Sequence, residues 1–145
     1  GEVKDYIGCK MEFNVKERSL KMTQPVLVQS LSDEFEDISQ GKAPLVPAKP
    51  GNVLTAGEAE TLSAEMHTRY RMGVGKLMYL AKHSRPDINN AVRDLARHSH
   101  APNKGHWDAM RYCIRYVRAT PERGFVLKPS GEWDGKNRSF QFVIR

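Results

Sequence analysis

The sequence predicts an α+β fold: a bundle of about four helices with an N-terminal β-hairpin and a short C-terminal strand pair. Three observations carry that reading. Apolar residues alternate with polar ones near the N-terminus, between residues 2 and 23. They then recur at three- and four-residue spacing in successive blocks from residue 25 to 117. Alternation returns in GFVLK (124–128) and FQFVIR (140–145). A period of two marks half-buried strands and a period of 3.6 marks amphipathic helices.

In the first block, Val3, Tyr6 and Ile7 lead to Met11, Phe13 and Val15, and Leu20 and Met22 return after the polar turn Lys16–Ser19. That is the pattern of a hairpin. Thr23 is placed to N-cap the first helix, with Pro25 in its first turn, where the missing N–H does no harm. Val28, Leu31, Phe35 and Ile38 form its inner face, and Gly41 is expected to end it. Three prolines and three glycines between 41 and 57 impose an irregular linker. Thr55 and Glu58 have capping-box spacing, so a short polar helix is expected next.

The second helix is expected from about 65 to 83, with Tyr70, Val74, Leu77, Met78 and Ala81 as its buried stripe. Gly73 and Gly75 lie inside it, and two glycines so close imply that another element packs hard against that turn. Ser84-Arg85-Pro86-Asp87 stops one helix and starts another, with Asp87 facing the positive end of the next helix dipole. Ile88, Ala91, Val92, Leu95 and Ala96 make the third helix amphipathic. Asn103 caps a fourth, whose inner face is Trp107, Met110, Ile114 and Val117, and Thr120-Pro121 ends it.

Charge is unevenly distributed. Residues 67–124 hold twelve basic and four acidic side chains, a local +8, together with all five histidines; residues 1–66 carry −4 and the tail from 125 carries +2. A field of that sign and density attracts polyanions, of which nucleic acid is the commonest. Arg111, Arg115 and Arg118 form a stripe at i, i+4 and i+7, Lys104 extends it by a turn, and Arg97 ends the preceding helix. Such a stripe suits phosphates, and equally suits a solvated helix face. The other chemistries fare worse. His98, His100 and His106 fit no common zinc spacing, and Cys9 and Cys113 form no C-x-x-C pair. No strand–GxxxxGK[ST]–helix loop exists. Asp94 suits a pair with a neighbouring arginine better than magnesium. Trp107 suits the core, with stacking on a base as the alternative. Arg85 either closes its turn through Asp87 or a carbonyl, or contacts phosphate; the residues leave both open. No apolar run approaches the ~18 residues a membrane span needs. The two distant cysteines suit a reduced intracellular chain. The chain stops inside the apolar alternation at Phe140–Ile144, as a piece of a longer polypeptide would.

An ordered set of residues carries a family resemblance. Tyr70-Arg71, Val74-Gly75, Leu77, Tyr79-Leu80, then Arg85-Pro86-Asp87-Ile88, Ala91-Val92 and Leu95-x-Arg97, then His106-Trp107, Ala109, Arg111, Arg115-Tyr116-Val117 and Thr120 resemble the reverse transcriptase of copia-type (Pseudoviridae) retrotransposons after its polymerase palm. That family reads roughly YR-x-x-VG-x-L-x-YL, RPDI-x-x-AV and HW-x-A-x-R-x-LRYL-x-x-T; Val117 stands where leucine is usual. The resemblance implies a layout: residues 1–23 as the primer-holding hairpin that ends the palm, 24–123 as a helical thumb and connection, and 124–145 as strands leading toward an RNase H domain. It makes Tyr70, Gly75, Arg85, Pro86, Asp87 and Trp107 structural motif residues.

The family's paired catalytic aspartates, and the first aspartate of RNase H, are not in this sequence. Phosphoryl transfer needs clustered carboxylates to hold two metal ions, so no cofactor is expected in this chain, and magnesium only in the catalytic domains. The expected role is non-catalytic: gripping an RNA–DNA hybrid or duplex by its backbone, through Arg97, Lys104, Arg111, Arg115 and Arg118 and without reading sequence. Expected partners are that nucleic acid and the other polymerase and RNase H domains, with no membrane and no small-molecule substrate. The expected location is a cytoplasmic virus-like particle or the nucleus. The alternatives are a domesticated remnant serving as a protein-interaction module, or a small helical DNA-binding domain.

Overall fold

The computed structural model describes residues 5–6, 8–57, 59–129 and 140–144, the first and last of these as backbone only. The expected α+β architecture is present. Strands β1 (Asp5–Tyr6), β2 (Cys9–Asn14) and β3 (Ser19–Thr23) open the chain. Helices α1 (Pro25–Glu34), α2 (Ala64–His83), α3 (Asn89–Ala96) and α4 (Lys104–Ala119) follow, and β4 (Phe125–Pro129) and β5 (Phe140–Ile144) close it. The N-terminal strands and the C-terminal pair are not separate units. They form one antiparallel sheet in the order β1-β2-β3-β4-β5, joined where Leu20, Lys21 and Met22 pair with Leu127, Val126 and Phe125.

Thr23 belongs to that sheet. It pairs with Lys10 as the last residue of β3, so it does not cap α1; Gln24 precedes the helix without a side-chain cap. Pro25 occupies the first turn as expected. Helix α1 stops at Glu34, well before Gly41. Its inner face nevertheless continues through a turn, with Val28, Leu31 and Phe35 buried and Ile38 partly so.

The core lies among the helices. Leu31, Phe35, Tyr70, Leu77, Leu80, Ile88, Met110 and Ile114 are completely shielded from solvent. Fully burying a side chain of this size contributes about 1.5–3 kcal/mol. Met78 does not join them. It is half exposed, and Leu80 takes the buried place instead. The buried residues of α2 are Tyr70, Gly73, Val74, Leu77, Leu80 and Ala81, and Met78 lies at the edge of that stripe on the side toward α3. A Cβ at Gly73 would stand 2.9 Å from the Phe35 ring and 2.8 Å from the Met110 sulfur, so the expected close packing is real there. At Gly75 it would meet nothing within 4 Å.

The short helix expected after Thr55 is absent among the described residues. The segment crosses extended, with Thr61 bridged to Asn103 and the Lys104 N–H donating to the Glu60 carbonyl at 2.9 Å. Thr55 does not cap; its carbonyl accepts from the Asn103 amide and the His106 ring. Tertiary partners outcompete a weak local signal here. Glu58 and residues 130–139 lie outside the described residues. Both cysteines are buried and unpaired with each other, and no described helix is long and apolar enough to cross a membrane.

Candidate nucleic-acid interface

Helix α4 presents its cations toward the turn that follows α1. The carbonyls of Ile38, Ser39 and Gln40 lie past the helix end at Glu34, have no helical N–H partner and need donors. Arginines from α4 supply them. Arg111 donates through Nε to the Ile38 carbonyl at 2.8 Å, Arg115 through Nη1 to Gln40 at 3.4 Å, and Arg118 through Nη1 to both the carbonyl and the hydroxyl of Ser39. Gly41 permits the approach: its φ is +120°, and a Cβ there would stand 3.0 Å from Arg115 Nη1. Arg115 and Lys49 also lie over the Tyr112 ring, at 5.6 and 5.8 Å. Arg111, Arg115 and Arg118 stay partly exposed. The i, i+4, i+7 stripe thus exists as a row of guanidinium groups whose orientation is set by carbonyls.

Lys104 and Arg97 sit further along the same run of helices. Lys104 pairs with Asp108 at 3.1 Å, and Asp108 also meets Arg111 at 3.3 Å. Arg97 pairs with Asp94 at 3.4 Å. Lys104, Arg97 and both aspartates are more than half exposed. Exposed pairs of this kind contribute roughly 0–1 kcal/mol and yield readily to a phosphate.

Arg85 has a different position. It is 1% exposed and forks onto Asp87, with Nε and Nη2 each 3.0 Å from a carboxylate oxygen. It also donates to the Thr120 carbonyl and hydroxyl, at 2.9 and 2.8 Å. Tyr116 donates to Asp87 at 2.8 Å, and Arg123 reaches the Tyr116 hydroxyl. Burial pushes the Asp87 carboxyl up, but the hydrogen bonds from Arg85 and Tyr116 and the guanidinium charge outweigh it, and the net shift is downward. Nearby, the Ser84 hydroxyl donates to Gln24 at 2.7 Å. This network locks the α2–α3 corner to the exit of α4, and the bidentate geometry favours a structural role over phosphate contact. Pro86 starts the single 3₁₀ turn of that corner, Tyr70 is buried with its hydroxyl on the Leu95 carbonyl, and Trp107 is 4% exposed in the core.

Asn103 caps α4 in a reciprocal box: its side chain accepts from the His106 N–H, while His106 Nδ1 accepts from the Asn103 N–H. The other ring nitrogen, 2.9 Å from the Thr55 carbonyl, must then carry the proton. Burial, and the charge of His98 stacked 3.9 Å away, hold the His106 pKa below its ordinary value. Among the described residues no three His, Cys, Asp or Glu side chains gather as metal ligands.

A second cationic region was not singled out from sequence. On α2, Arg69 and Lys76 turn toward α1 and pair with Asp37 and Glu34. Arg71 and Lys82 face the other way, and with Arg93 of α3 they are exposed and make no ion pair or hydrogen bond among the described residues. The legible signal was the stripe Arg71, Gly75, Met78, Lys82, at i, i+4, i+7 and i+11.

Over 61 residues the chain is 44% identical to the retrovirus-related Pol polyprotein from transposon RE2 of Arabidopsis thaliana, which covers 42% of this chain and 4% of that protein. The chain is similar to retrotransposon Pol polyproteins. Over 132 residues it is 28% identical to the retrovirus-related Pol polyprotein from transposon TNT 1-94 of Nicotiana tabacum, 83% of this chain and 9% of that one. The chain therefore spans less than a tenth of these Pol polyproteins. It is also 34% identical over 62 residues to the secreted RxLR effector protein 161 of Plasmopara viticola, covering 43% of this chain and 44% of the effector. No family model and no solved structure matches.

Proposed function

We propose that this chain is a non-catalytic stretch of a retrotransposon Pol polyprotein, the thumb and connection that follow the polymerase palm, and that it holds template–primer nucleic acid by the phosphate backbone. The observation that carries the reading is the oriented row on α4. Arg111, Arg115 and Arg118 are anchored by one edge to carbonyls 38–40, and no hydrogen bond engages the Nη2 of any of them among the described residues. Anchoring lowers the rotamer entropy lost on binding a phosphate. Lys104 continues the α4 stripe through an exposed pair that a phosphate can displace, and Arg97, at the end of α3, is held by a pair of the same kind. In this reading the β2–β3 hairpin lies toward the primer end, magnesium belongs to the catalytic domains, and the setting is a virus-like particle or the nucleus.

The test is binding to an RNA–DNA hybrid, duplex DNA and single strand at low and high salt. Affinity should fall steeply with salt, with little dependence on sequence. Arg111→Gln, Arg115→Gln and Arg118→Gln should each lower the salt slope by about one. Weak, salt-insensitive binding to all three would end the proposal. A protein-interaction module is the second reading, favoured by one observation: a similar segment makes up 44% of an effector whose name is not that of a Pol polyprotein. Its mark would be retention of a protein partner with no affinity for any nucleic acid.

A further inference from the structure

Between α2 and α3 runs a groove of about 600 Å³. Its floor is Gly75, Met78, Tyr79, Val92 and Ala96, and Lys82 and Arg93 stand at its rim with Arg71 one turn further along α2. Met78 and Tyr79 are 50% and 41% exposed. We propose that this groove docks an acidic amphipathic helix from a partner protein, apolar stripe down and carboxylates against Arg71, Lys82 and Arg93.

Two independent features support an occupant from outside the chain. The first is Gly75. A glycine inside a helix is unfavourable relative to alanine. Gly73 has an internal reason, the Phe35 ring, whereas Gly75 faces open space. Its missing side chain deepens the trough and does nothing else visible. The second is charge. These cations have no counter-charge among the described residues, whereas Arg69 and Lys76 on the opposite face of α2 are paired. An apolar trough edged by unpaired cations complements a helix with leucine-like anchors and acidic flanks. An exposed methionine adapts to such anchors.

Nucleic acid fits less well. A phosphate backbone is bound by charged and hydrogen-bonding side chains, and Met78, Val92 and Ala96 offer it nothing. In and after α1, Glu34 and Asp37 are already paired with Lys76 and Arg69, while Asp33 and Glu36 are exposed and in no ion pair among the described residues, so self-association of the chain is an arm of the test.

The experiment uses the whole chain and a fluorescein-labelled synthetic amphipathic helix, leucines on one stripe and glutamates along both edges, read by anisotropy. Binding should be saturable and weaken with salt, and the same peptide with lysines for glutamates should not bind. Gly75→Leu fills the trough while improving helix propensity. It should keep or raise Tm and weaken the peptide about tenfold, and Met78→Glu or Lys82→Glu should do likewise. Unchanged affinity in Gly75→Leu overturns the proposal. So does displacement of the peptide by duplex DNA together with an equal loss of duplex affinity in Gly75→Leu, which would assign the groove to nucleic acid. Self-association abolished by Gly75→Leu would assign it to a second copy. The α4 variants above report on nucleic-acid binding separately, so the two readings fail independently.

Discussion

The outer edge of α4 and the α2–α3 groove are both cationic, yet their charges are held in opposite ways. On α4 the three guanidinium groups are each tied to a carbonyl 73 to 79 residues earlier in the chain, so the charge is oriented and also fastens the turn after α1. Around the groove Arg71, Lys82 and Arg93 are tied to nothing described, and the floor beneath them is apolar. A net charge of +6 conceals that division. Local charge density says where anions are attracted; the partners of each cation say what else it holds together.

Both regions depend most on the corner that supports them. Arg85→Ala removes four hydrogen bonds and leaves Asp87 half-buried beside Tyr116. Breaking a buried pair from one side costs about 3–5 kcal/mol, so urea denaturation should show a large loss of stability, and both faces should lose binding together. A loss under 1 kcal/mol would mean that the corner does not hold the bundle. The two glycines of α2 give the next largest effect. Gly73→Ala must push aside the Phe35 ring and should cost about 1–3 kcal/mol, while Gly75→Ala should stabilise by roughly 0.5–1 kcal/mol. Equal effects in thermal melts would erase the asymmetry between the inner and outer faces of the helix.

Neutralising the cations separates the regions more gently. Arg111→Gln or Arg118→Gln should each cost about 0.5–1.5 kcal/mol through the lost carbonyl bond, whereas Lys82→Gln or Arg93→Gln should stay within about 0.5 kcal/mol. Similar melts for all four would show that the carbonyl anchors contribute nothing. The smallest effect is expected from pH. His106 is held below its ordinary value of 6.5, so the unfolded chain takes up this proton first as pH falls. Stability should be full above that value and decline below it until the folded ring also protonates. Protonation at Nδ1 removes the acceptor for the Asn103 N–H, and His106→Gln should flatten the decline. Asp87 acts lower: its carboxyl is depressed, so its contribution persists above the ordinary carboxylate range and disappears in stronger acid.

The helical half of the fold was legible because each helix repeats one local pattern. Val28, Leu31 and Phe35, then Ile88, Val92 and Leu95, then Trp107, Met110, Ile114 and Val117 are inner faces readable from spacing alone, and all are buried. Local pattern is overruled where distant partners decide. Thr23 is a plausible cap until β2 claims it, the β3–β4 pairing joins residues about a hundred apart, and the segment after Thr55 is held extended by Asn103 and His106. The candidate interface followed the same rule. The α4 stripe was visible as spacing, but its carbonyl partners were not. Met78 looked internal because one methionine at helical spacing fits either side of a wide stripe.

Cys9 is 1% exposed, and the Cys113 thiol, pushed up to about 12 by burial, stays protonated at neutral pH. Alkylating reagents need an accessible thiolate, so the native protein should remain nearly silent toward a maleimide dye. Met78→Cys would then offer a single reactive handle on the outer face of α2, where an attached fluorophore could register whatever settles beside it without either native sulfur contributing background.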